Sequence, residues 1–456
     1  MLAGLPSPGN DRRLAIAYPT IHLRLSLAAT LTSPRATGHA PLVATRHTAE
    51  TLQCNRCKTS FTAPLPEALQ QDGVNGRSLY SYSAVAIVCI YRCFAGVPMH
   101  RQQNLQKSLG VHVPDASIWD MCERMADILR PVRRYLFDKA ANAPLFFGDD
   151  TGATILDQRA KLRPNRKTGK DVLRTGCHTT CVIATIEGGL PAVLFTTGIH
   201  HTGEVMDLIL AKRNEALPPP IFMGDCIESN TVTAATIYYA GCNAHAIRRF
   251  KALTEKYPEH TDYVLSRYRQ IYDHEETCKK SGMTDEQRLD DHKQYSRPLL
   301  REITEYGEDL FEQRRVEPNS DLGQAFEYII NHERRLSAFA RHPGAPLDNN
   351  SCERTLRICV RLRETARFFR NPIGASVADT LLTVGGTAQA CDANLMDYFV
   401  AAQRHADDVR QHPELWVPVR CRGSPRCLVP GASSRPQSRR TSGPARRAPA
   451  WCWSRE

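Results

Sequence analysis

The stretch APLFFGDDT, residues 143 to 151, decides the fold because a short apolar strand in it runs directly into two acids. The sequence before it has a helical period, and the sequence after it has an extended one. CHTTCVIATIEG (177–188) and LPAVLFTTG (190–198) are rich in β-branched residues and predict a hairpin. PPPIFMGD (218–225) and IYYAGCNA (237–244) predict two more strands.

Helices are predicted between the later strands. EVMDLILAKRNEAL follows the third strand, and a shorter helix is expected around ESNTVTAA. The resulting order is strand, strand, strand, helix, strand, helix, strand. Such an order is typical of an α/β fold, here a mixed sheet with helices packed on it.

Helical sequence precedes the sheet. Residues 66–142 have apolar positions three and four apart, and they predict two helices separated by the turn VHVPDAS. Arg130, Arg133 and Arg134 on the second helix either contact DNA or line a solvated face. This stretch is therefore a candidate helical DNA-binding region.

A helical insertion is predicted within the α/β unit. Residues from about 250 to 345 are charged and helical, without a comparable strand, and LDNNSCERTLRICVRLRETARFF then predicts a long helix. We therefore expect one α/β domain over 143–372 that contains the insertion, followed by C-terminal helices over 373–418.

The net charge of +11 suggests an anionic partner, but it is concentrated at the two ends. Residues 1–43 contain four arginines against Asp11, and residues 419–456 contain nine arginines against Glu456, so residues 44–418 are formally neutral. Both ends lack a hydrophobic period and are predicted to be disordered. The basic tail either binds DNA without specificity or results from reading past a lost stop codon.

The cysteines predict the compartment and one candidate zinc segment. Sixteen cysteines are scattered through apolar runs, which favours reduced thiols in a cytosolic, soluble protein without a membrane span or targeting signal. In the segment 44–65, Cys54 and Cys57 have the spacing of half a zinc ribbon. A tetrahedral site needs two more ligands, and none follows at a fitting distance, so two free thiols in a turn are favoured.

Four acids lie where a shared site could form. Asp149 and Asp150 end the first strand, Asp225 ends the fourth, and Glu353 lies in LDNNSCER (347–354). Ligand residues collect at strand ends because a rigid sheet can aim them into one cleft. Converging carboxylates repel one another, and a pair of Mg²⁺ ions would relieve that repulsion and support phosphodiester cleavage or transfer.

A simpler interpretation of LDNNSCER remains open on the residues alone. Asp348, Asn349 and Asn350 are all residues that cap a helix start, and Glu353 is an acid favoured in a first turn.

Several long motifs resemble one known family. GDDTGATILD, LPPPIFMGDCIESN, GCNAHAIRRF, VEPNSDLGQAFEYIINHERRLSAFARHPGAPLDNNSCERTLR and NLMDYF together resemble the insertion-sequence-66 family of DDE transposases. The likeness runs from about residue 51 to 418. It implies a ribonuclease H-like catalytic fold whose sheet is interrupted by a helical insertion.

The resemblance also implies the catalytic residues and the reaction. Asp149, Asp225 and Glu353 match the family's catalytic acids and would bind Mg²⁺ or Mn²⁺, with Asp150 as a neighbouring ligand or a structural acid. In the implied reaction, water cleaves the phosphodiester at an element end, and the released 3′-hydroxyl attacks target DNA. The implied partners are the element's terminal repeats, target DNA, at least one further copy of the chain, and accessory proteins of the element, in the bacterial cytoplasm at the nucleoid.

Basic residues near the acids are predicted DNA contacts. Cys242 and His245 have a Cys-x-x-His spacing, and His245 either orients DNA or a carboxylate, or is an ordinary half-buried histidine; a zinc role is also open. Arg248 and Arg249 follow it and are expected to contact phosphates. The loop KLRPNRKTGK (161–170) and the helix after Glu353 supply the remaining candidates, which are Lys161, Arg163, Arg166, Lys167, Lys170 and Arg363.

The chain also departs from the family pattern. The first half of the family's zinc finger is absent, and Glu364 stands where a basic residue is usual. Together with the foreign-looking ends, this suggests a truncated or frameshifted copy. The alternatives to an active transposase are a DNA-binding relic that no longer cuts, or a general nuclease on the same fold.

Overall fold

A five-stranded mixed sheet lies at the centre of the described chain. The computed structural model describes residues 40–47, 51–64, 66–74, 79–164 and 170–418. The strands along the chain are β1 (Thr51–Gln53), β2 (Ser60–Thr62), β3 (Leu145–Ala153), β4 (Lys161–Pro164), β5 (Asp171–Arg174), β6 (Cys177–Ile186), β7 (Leu190–Gly198), β8 (Ile221–Gly224) and β9 (Tyr238–Gly241).

Helices surround this sheet and account for most of the remaining described chain. They are α1 (Glu67–Gln71), α2 (Tyr82–Cys93), α3 (Met99–Ser108), α4 (Asp115–Ala140), α5 (Thr202–Leu210), α6 (Asn243–Lys251), α7 (Pro258–Lys280), α8 (Asp285–Asp291), α9 (Arg297–Glu312), α10 (Asp321–Leu336), α11 (Asn350–Ala366), α12 (Pro372–Ala390), α13 (Leu395–Arg404) and α14 (Ala406–Gln411). None of these described helices is long and apolar enough to cross a bilayer.

The sheet has the order β7-β6-β3-β8-β9 and contains all five strands predicted from the sequence. β6 is antiparallel to both β3 and β7, whereas β8 is parallel to β3 and to β9. The β3–β8 register pairs Phe147 with Met223. Continuing that register brings Asp149 level with Asp225, just beyond the end of β8.

Two sequence predictions near the sheet need correction. The predicted loop 161–170 is in part an antiparallel hairpin, because Lys161–Pro164 pairs with Asp171–Arg174. The predicted helix around ESNTVTAA is only a 3₁₀ turn at Glu228–Asn230. Its Asn230 side chain donates to the Asp225 carbonyl at 3.0 Å, so the turn holds the segment after β8 in place.

The helical region before the sheet shares the hydrophobic core of the sheet. On α4, Ile118, Met121 and Leu129 are buried in the same cluster as Phe146 and Phe195 of the sheet. The insertion from α6 to α10 has its own buried cluster, in which Phe250, Phe326 and other residues pack together.

Side chains of α12 cover the β7 edge of the sheet. Thr387 and Thr383 accept hydrogen bonds from the backbone amides of Val193 and Phe195, both at 3.0 Å. One turn earlier, Asp379 accepts from the Thr197 amide at 2.8 Å and from its hydroxyl at 2.6 Å. Positions four apart on a helix face the same way, so one face of α12 serves alternate amides of the strand.

Arg133 does not behave as the sequence suggested. It is half-buried, and its guanidinium donates to the Phe195 carbonyl at 3.0 Å and lies over the ring of Phe137. Burial lowers the pKa of Arg133, while Asp379 opposes that shift. This arginine therefore supports the sheet edge and does not lie on a fully solvated face.

Candidate active site

Asp149 lies on β3 at the centre of the candidate site. Burial raises its pKa, and the charges of Asp225, Asp150 and Glu353 add to the effect, so that the pKa reaches about 7 despite a hydrogen bond from the Asp150 amide. Asp149 is level with Asp225 in the β3–β8 register, and one nitrogen of His245 lies within 3.7 Å of both Asp225 and Glu353. The three acids predicted from strand ends and from the resemblance are therefore brought together.

Asp225 lies beside His245, which projects from the first turn of α6. Its Oδ1 is 2.6 Å from Nδ1 of His245, and the same nitrogen is 3.7 Å from Oε1 of Glu353. Burial lowers the pKa of His245, but contacts with Asp225 and Cys242 outweigh it and raise the pKa to about 10. The position of the imidazole between two carboxylates favours its protonated form and supports the prediction that His245 orients a carboxylate.

Glu353 is presented by the first turn of α11, and the start of that helix is fixed to the sheet. Asp348 caps the helix start by accepting from the Asn350 amide at 3.1 Å. Asn349 does not cap with its side chain: it is fully buried and donates to the Gly148 carbonyl of β3 at 2.9 Å. Asn349 thus ties the helix to the strand that carries Asp149. The capping interpretation alone did not predict this contact.

Arg248 lies beside the acids whose cleft it was predicted to flank. Its Nη2 lies 2.6 Å from both oxygens of Glu353, and its Nη1 is 3.3 Å from Nε2 of His245. The guanidinium is half exposed, so it can leave this contact at modest cost. It neutralises Glu353 here, and its contact with a phosphate stays a prediction.

The donor set fits a hard divalent cation. Asp149, Asp225 and Glu353 offer carboxylate oxygens, the ligands that Mg²⁺ prefers. Asp225 also forms a group with His245 and the buried thiol of Cys242, whose ligand atoms lie within 4.8 Å of one another. Sulfur and imidazole ligands suit softer ions. Asp225 therefore belongs both to the group of three carboxylates and to the group with His245 and Cys242.

A sequence model described as Transposase IS66 family matches residues 77–377. The chain belongs to this transposase family. The match covers the helical region from α2 to α4, the whole sheet, the insertion and all three predicted acids. No curated protein matches the transposase chain.

Asp150 lies on the opposite face of β3 in the transposase, since side chains alternate along a strand. Its Oδ2 accepts from the amide and hydroxyl of Thr202 at 3.3 and 3.2 Å and lies 3.2 Å from Nδ1 of His201. Nδ1 of His178 is 3.9 Å from its Oδ1. These contacts lower the pKa of Asp150 against the effect of burial.

The other predicted DNA contacts of the transposase are spread over three elements. Arg363 of α11 donates to the Thr151 hydroxyl at 2.8 Å and to the Gly152 carbonyl at 3.0 Å, beside the end of β3. Arg249 is exposed and lies over the Tyr328 ring. The positions on or beside the β4–β5 hairpin are Lys161, Arg163 and Lys170. Arg166 and Lys167 lie outside the described residues.

The Cys54 and Cys57 pair lies in the turn of the β1–β2 hairpin. The Lys58 amide donates to the Cys54 carbonyl at 2.8 Å, and the Cys54 amide donates to the Thr59 carbonyl at 2.9 Å. A hydrogen bond with Thr59 is the main cause that lowers the pKa of Cys57 to about 7. Among the residues described, these thiols belong to no group of three possible metal ligands.

Proposed function

We propose that the chain is a DDE transposase that cleaves insertion-sequence ends and transfers the released 3′-hydroxyl into target DNA. The observation that carries the proposal is the convergence of Asp149, Asp225 and Glu353 from a strand, a strand end and a helix. The pKa of about 7 for Asp149 supports it, because burial and then the charges of neighbouring acids disfavour the carboxylate, and a bound cation would offset both.

We further propose that the sheet is a ribonuclease H-like fold. In chain order its five strands are arranged 3-2-1-4-5, with the second strand antiparallel to its neighbours. The helical insertion enters after the fifth strand, and α11 returns from it to pack on β3 and β6. This arrangement supports the fold that the motifs imply.

Mg²⁺ or Mn²⁺ is the proposed cofactor, held by Asp149, Asp225 and Glu353. When bound, such ions neutralise developing charge and activate the attacking oxygen in phosphoryl transfer. The protein's own cations have a complementary role. His245 keeps Asp225 in place, and Arg248 balances the charge of Glu353 until the cofactor is bound. Because its guanidinium is half exposed, Arg248 would be able to turn toward the DNA backbone once a cation balances Glu353.

DNA is the proposed partner, with element ends and target DNA using the same site. Arg249 follows Arg248 on α6, Arg363 lies beside the end of β3, and the β4–β5 hairpin carries further basic positions. Phosphate contacts of such residues position DNA without specifying its sequence. We propose that at least two copies act together, because two element ends must be joined to one target. Cytoplasmic, nucleoid-associated action follows from this role.

A nicking assay with the full-length chain tests the function. Labelled DNA that carries the sequences flanking this gene would be incubated with Mg²⁺ or Mn²⁺, using wild type, Asp225→Asn and Glu353→Gln. Asp407→Asn is the matched control, because its carboxylate is exposed and paired with Arg410 on α14. We expect cleavage at the ends by wild type and by the control, and none by the two site variants.

Each other outcome has a definite meaning. Binding of the ends without cleavage by wild type would replace the proposal with a DNA-binding relic. Cleavage that ignores the element ends would favour a general nuclease. Undiminished cleavage by Asp225→Asn would remove the acidic triad from the reaction.

A further inference from the structure

A second cluster of possible metal ligands lies behind the acidic site. Asp150 of β3, His178 of β6 and His201 before α5 each offer one ligand atom, and the three atoms lie within 4.8 Å of one another. The two imidazole rings are 4.0 Å apart between centroids and tilted by 39°. All three side chains are half-buried, which leaves an entry path from solvent.

The separations suit coordination of one ion. Ligands about 2.0–2.1 Å from Zn²⁺ at a tetrahedral angle are about 3.3 Å from each other. For an ion bound at Oδ1 of Asp150, Nδ1 of His178 is 3.9 Å from that oxygen, and Nδ1 of His201, now 3.2 Å from Oδ2, would turn toward the ion. Small side-chain rotations would bring both histidine nitrogens to coordination distance from the ion, and water would complete the coordination.

The surrounding contacts hold the carboxylate and one histidine in position. Two donors from Thr202 fix Oδ2 of Asp150, while Oδ1 keeps lone pairs for an ion. The His201 amide donates to Glu204 at 3.0 Å, and Arg174 in turn holds Glu204 at 2.7 Å. Such outer contacts orient the ligands of metal sites.

The donor types separate this cluster from the acidic site. Two imidazole nitrogens and one carboxylate favour first-row transition ions such as Zn²⁺, whereas an all-oxygen set favours Mg²⁺ or Mn²⁺. Adjacent residues of one strand would therefore serve two sites of different selectivity on opposite faces of the sheet.

We propose that Asp150, His178 and His201 bind one Zn²⁺ ion, which stabilises β3 from the face opposite Asp149. The site goes beyond the transposase reaction, because the proposed cleavage uses only the acids of the other face. Bound Zn²⁺ would stabilise the folded chain in proportion to its affinity.

Zinc stoichiometry in the full-length chain tests the proposal. A Cys54→Ser, Cys57→Ser background removes the exposed thiols, and equilibrium dialysis against Zn²⁺ with elemental analysis then counts bound ions. We expect His178→Asn and His201→Asn to lose one equivalent, or to weaken its binding at least tenfold. The matched control is His412→Asn, because its imidazole is exposed after α14 and lies 3.5 Å from Glu414. It should keep the full count.

Cobalt spectroscopy provides a second test that needs no cluster variant to fold. Co²⁺ bound by nitrogen and oxygen gives visible d–d bands without a thiolate charge-transfer band in the near ultraviolet. We expect that signature and a higher melting temperature with Zn²⁺. A strong thiolate band would place the ion at Cys242 and overturn the proposal. Equal zinc counts in wild type and both histidine variants, or no bound zinc in wild type, would leave a hydrogen-bonded cluster only.

Discussion

Asp149 and Asp150 are neighbours in the sequence, yet the two faces of β3 give them opposite environments. On one face, burial and other carboxylates raise the pKa of Asp149 to about 7. On the other face, His201, His178 and Thr202 lower the pKa of Asp150. Strand alternation places Asp149 among other carboxylates and places Asp150 among hydrogen-bond donors. Two acids in one motif can therefore have unrelated roles.

The largest expected difference between the two faces is in DNA cleavage. Asp149→Asn should reduce cleavage of element ends by about a thousandfold or more, because a ligand of the catalytic ion would be lost. Asp150→Asn should retain activity within about tenfold of wild type, since its side chain faces away. Rates of single-turnover nicking measure both. Equal losses in the two variants would end the distinction between the faces.

Asp149 and Asp150 should also contribute to the free energy of unfolding with opposite dependence on pH. In EDTA, wild type loses stability as pH rises from about 4 to about 7, because Asp149 ionises in the folded state only near 7. Asp149→Asn lacks this loss and should gain up to about 4 kcal/mol relative to wild type at pH 8. Asp150→Asn should instead lose about 1–2 kcal/mol above pH 4 and approach wild type in acid.

Urea denaturation at a series of pH values would measure these differences. The free energy of unfolding of the Asp407→Asn control should follow that of wild type at every pH. A stability difference for Asp149→Asn that does not grow between pH 4 and pH 7 would contradict the crowding of carboxylates.

Gly148→Ala tests how closely the Asp150 face is packed. A Cβ there would lie 2.6 Å from the Phe222 ring and 2.8 Å from the Thr202 side chain, so neighbours must shift. We expect a loss of about 2 kcal/mol in the free energy of unfolding. Gly198→Ala at the end of β7 is the matched control, because its Cβ would meet nothing within 4 Å. Similar losses in the two variants would argue against close packing there.

Arg248→Ala tests the Asp149 face with the smallest expected effect. Removing the cation bound to Glu353 should strengthen Mn²⁺ binding about fivefold, because a partly exposed charged hydrogen bond is worth about 1 kcal/mol. Calorimetric titration would measure the affinity, with Arg249→Ala as the control. Weaker binding in Arg248→Ala would mean that this arginine organises the acids instead of competing for one of them.

The sequence predicted the sheet because its strands are unusually clear. β3, β6 and β7 are apolar or β-branched runs, and the ends of β3 and β8 carry the acids that the structure brings together. The β4–β5 hairpin was missed because KLRPNRKTGK is polar and contains a proline, so its strand pairing has no hydrophobic signal.

The partners of individual side chains were less predictable. His178 and His201 are far apart in the sequence, and only the register of β6 against β3 and the start of α5 bring them to Asp150. Arg248 was predicted to contact phosphates because it would flank the cleft, and sequence alone does not show that Glu353 returns from the insertion beside it. The hydrophobic pattern of a sequence predicts its helices and strands. Polar contacts between residues distant in the sequence depend on how those helices and strands are arranged.

The side chains of α12 that bond to β7 limit how copies of this chain can assemble. A strand from another molecule could extend the sheet at this edge only by displacing Thr387, Thr383 and Asp379 from the amides they occupy. Each lost bond would cost about 1 kcal/mol, and the helix would have to detach from the sheet. Strand addition and fibril-like stacking are therefore blocked at β7. Copies that meet there must do so through helix surfaces.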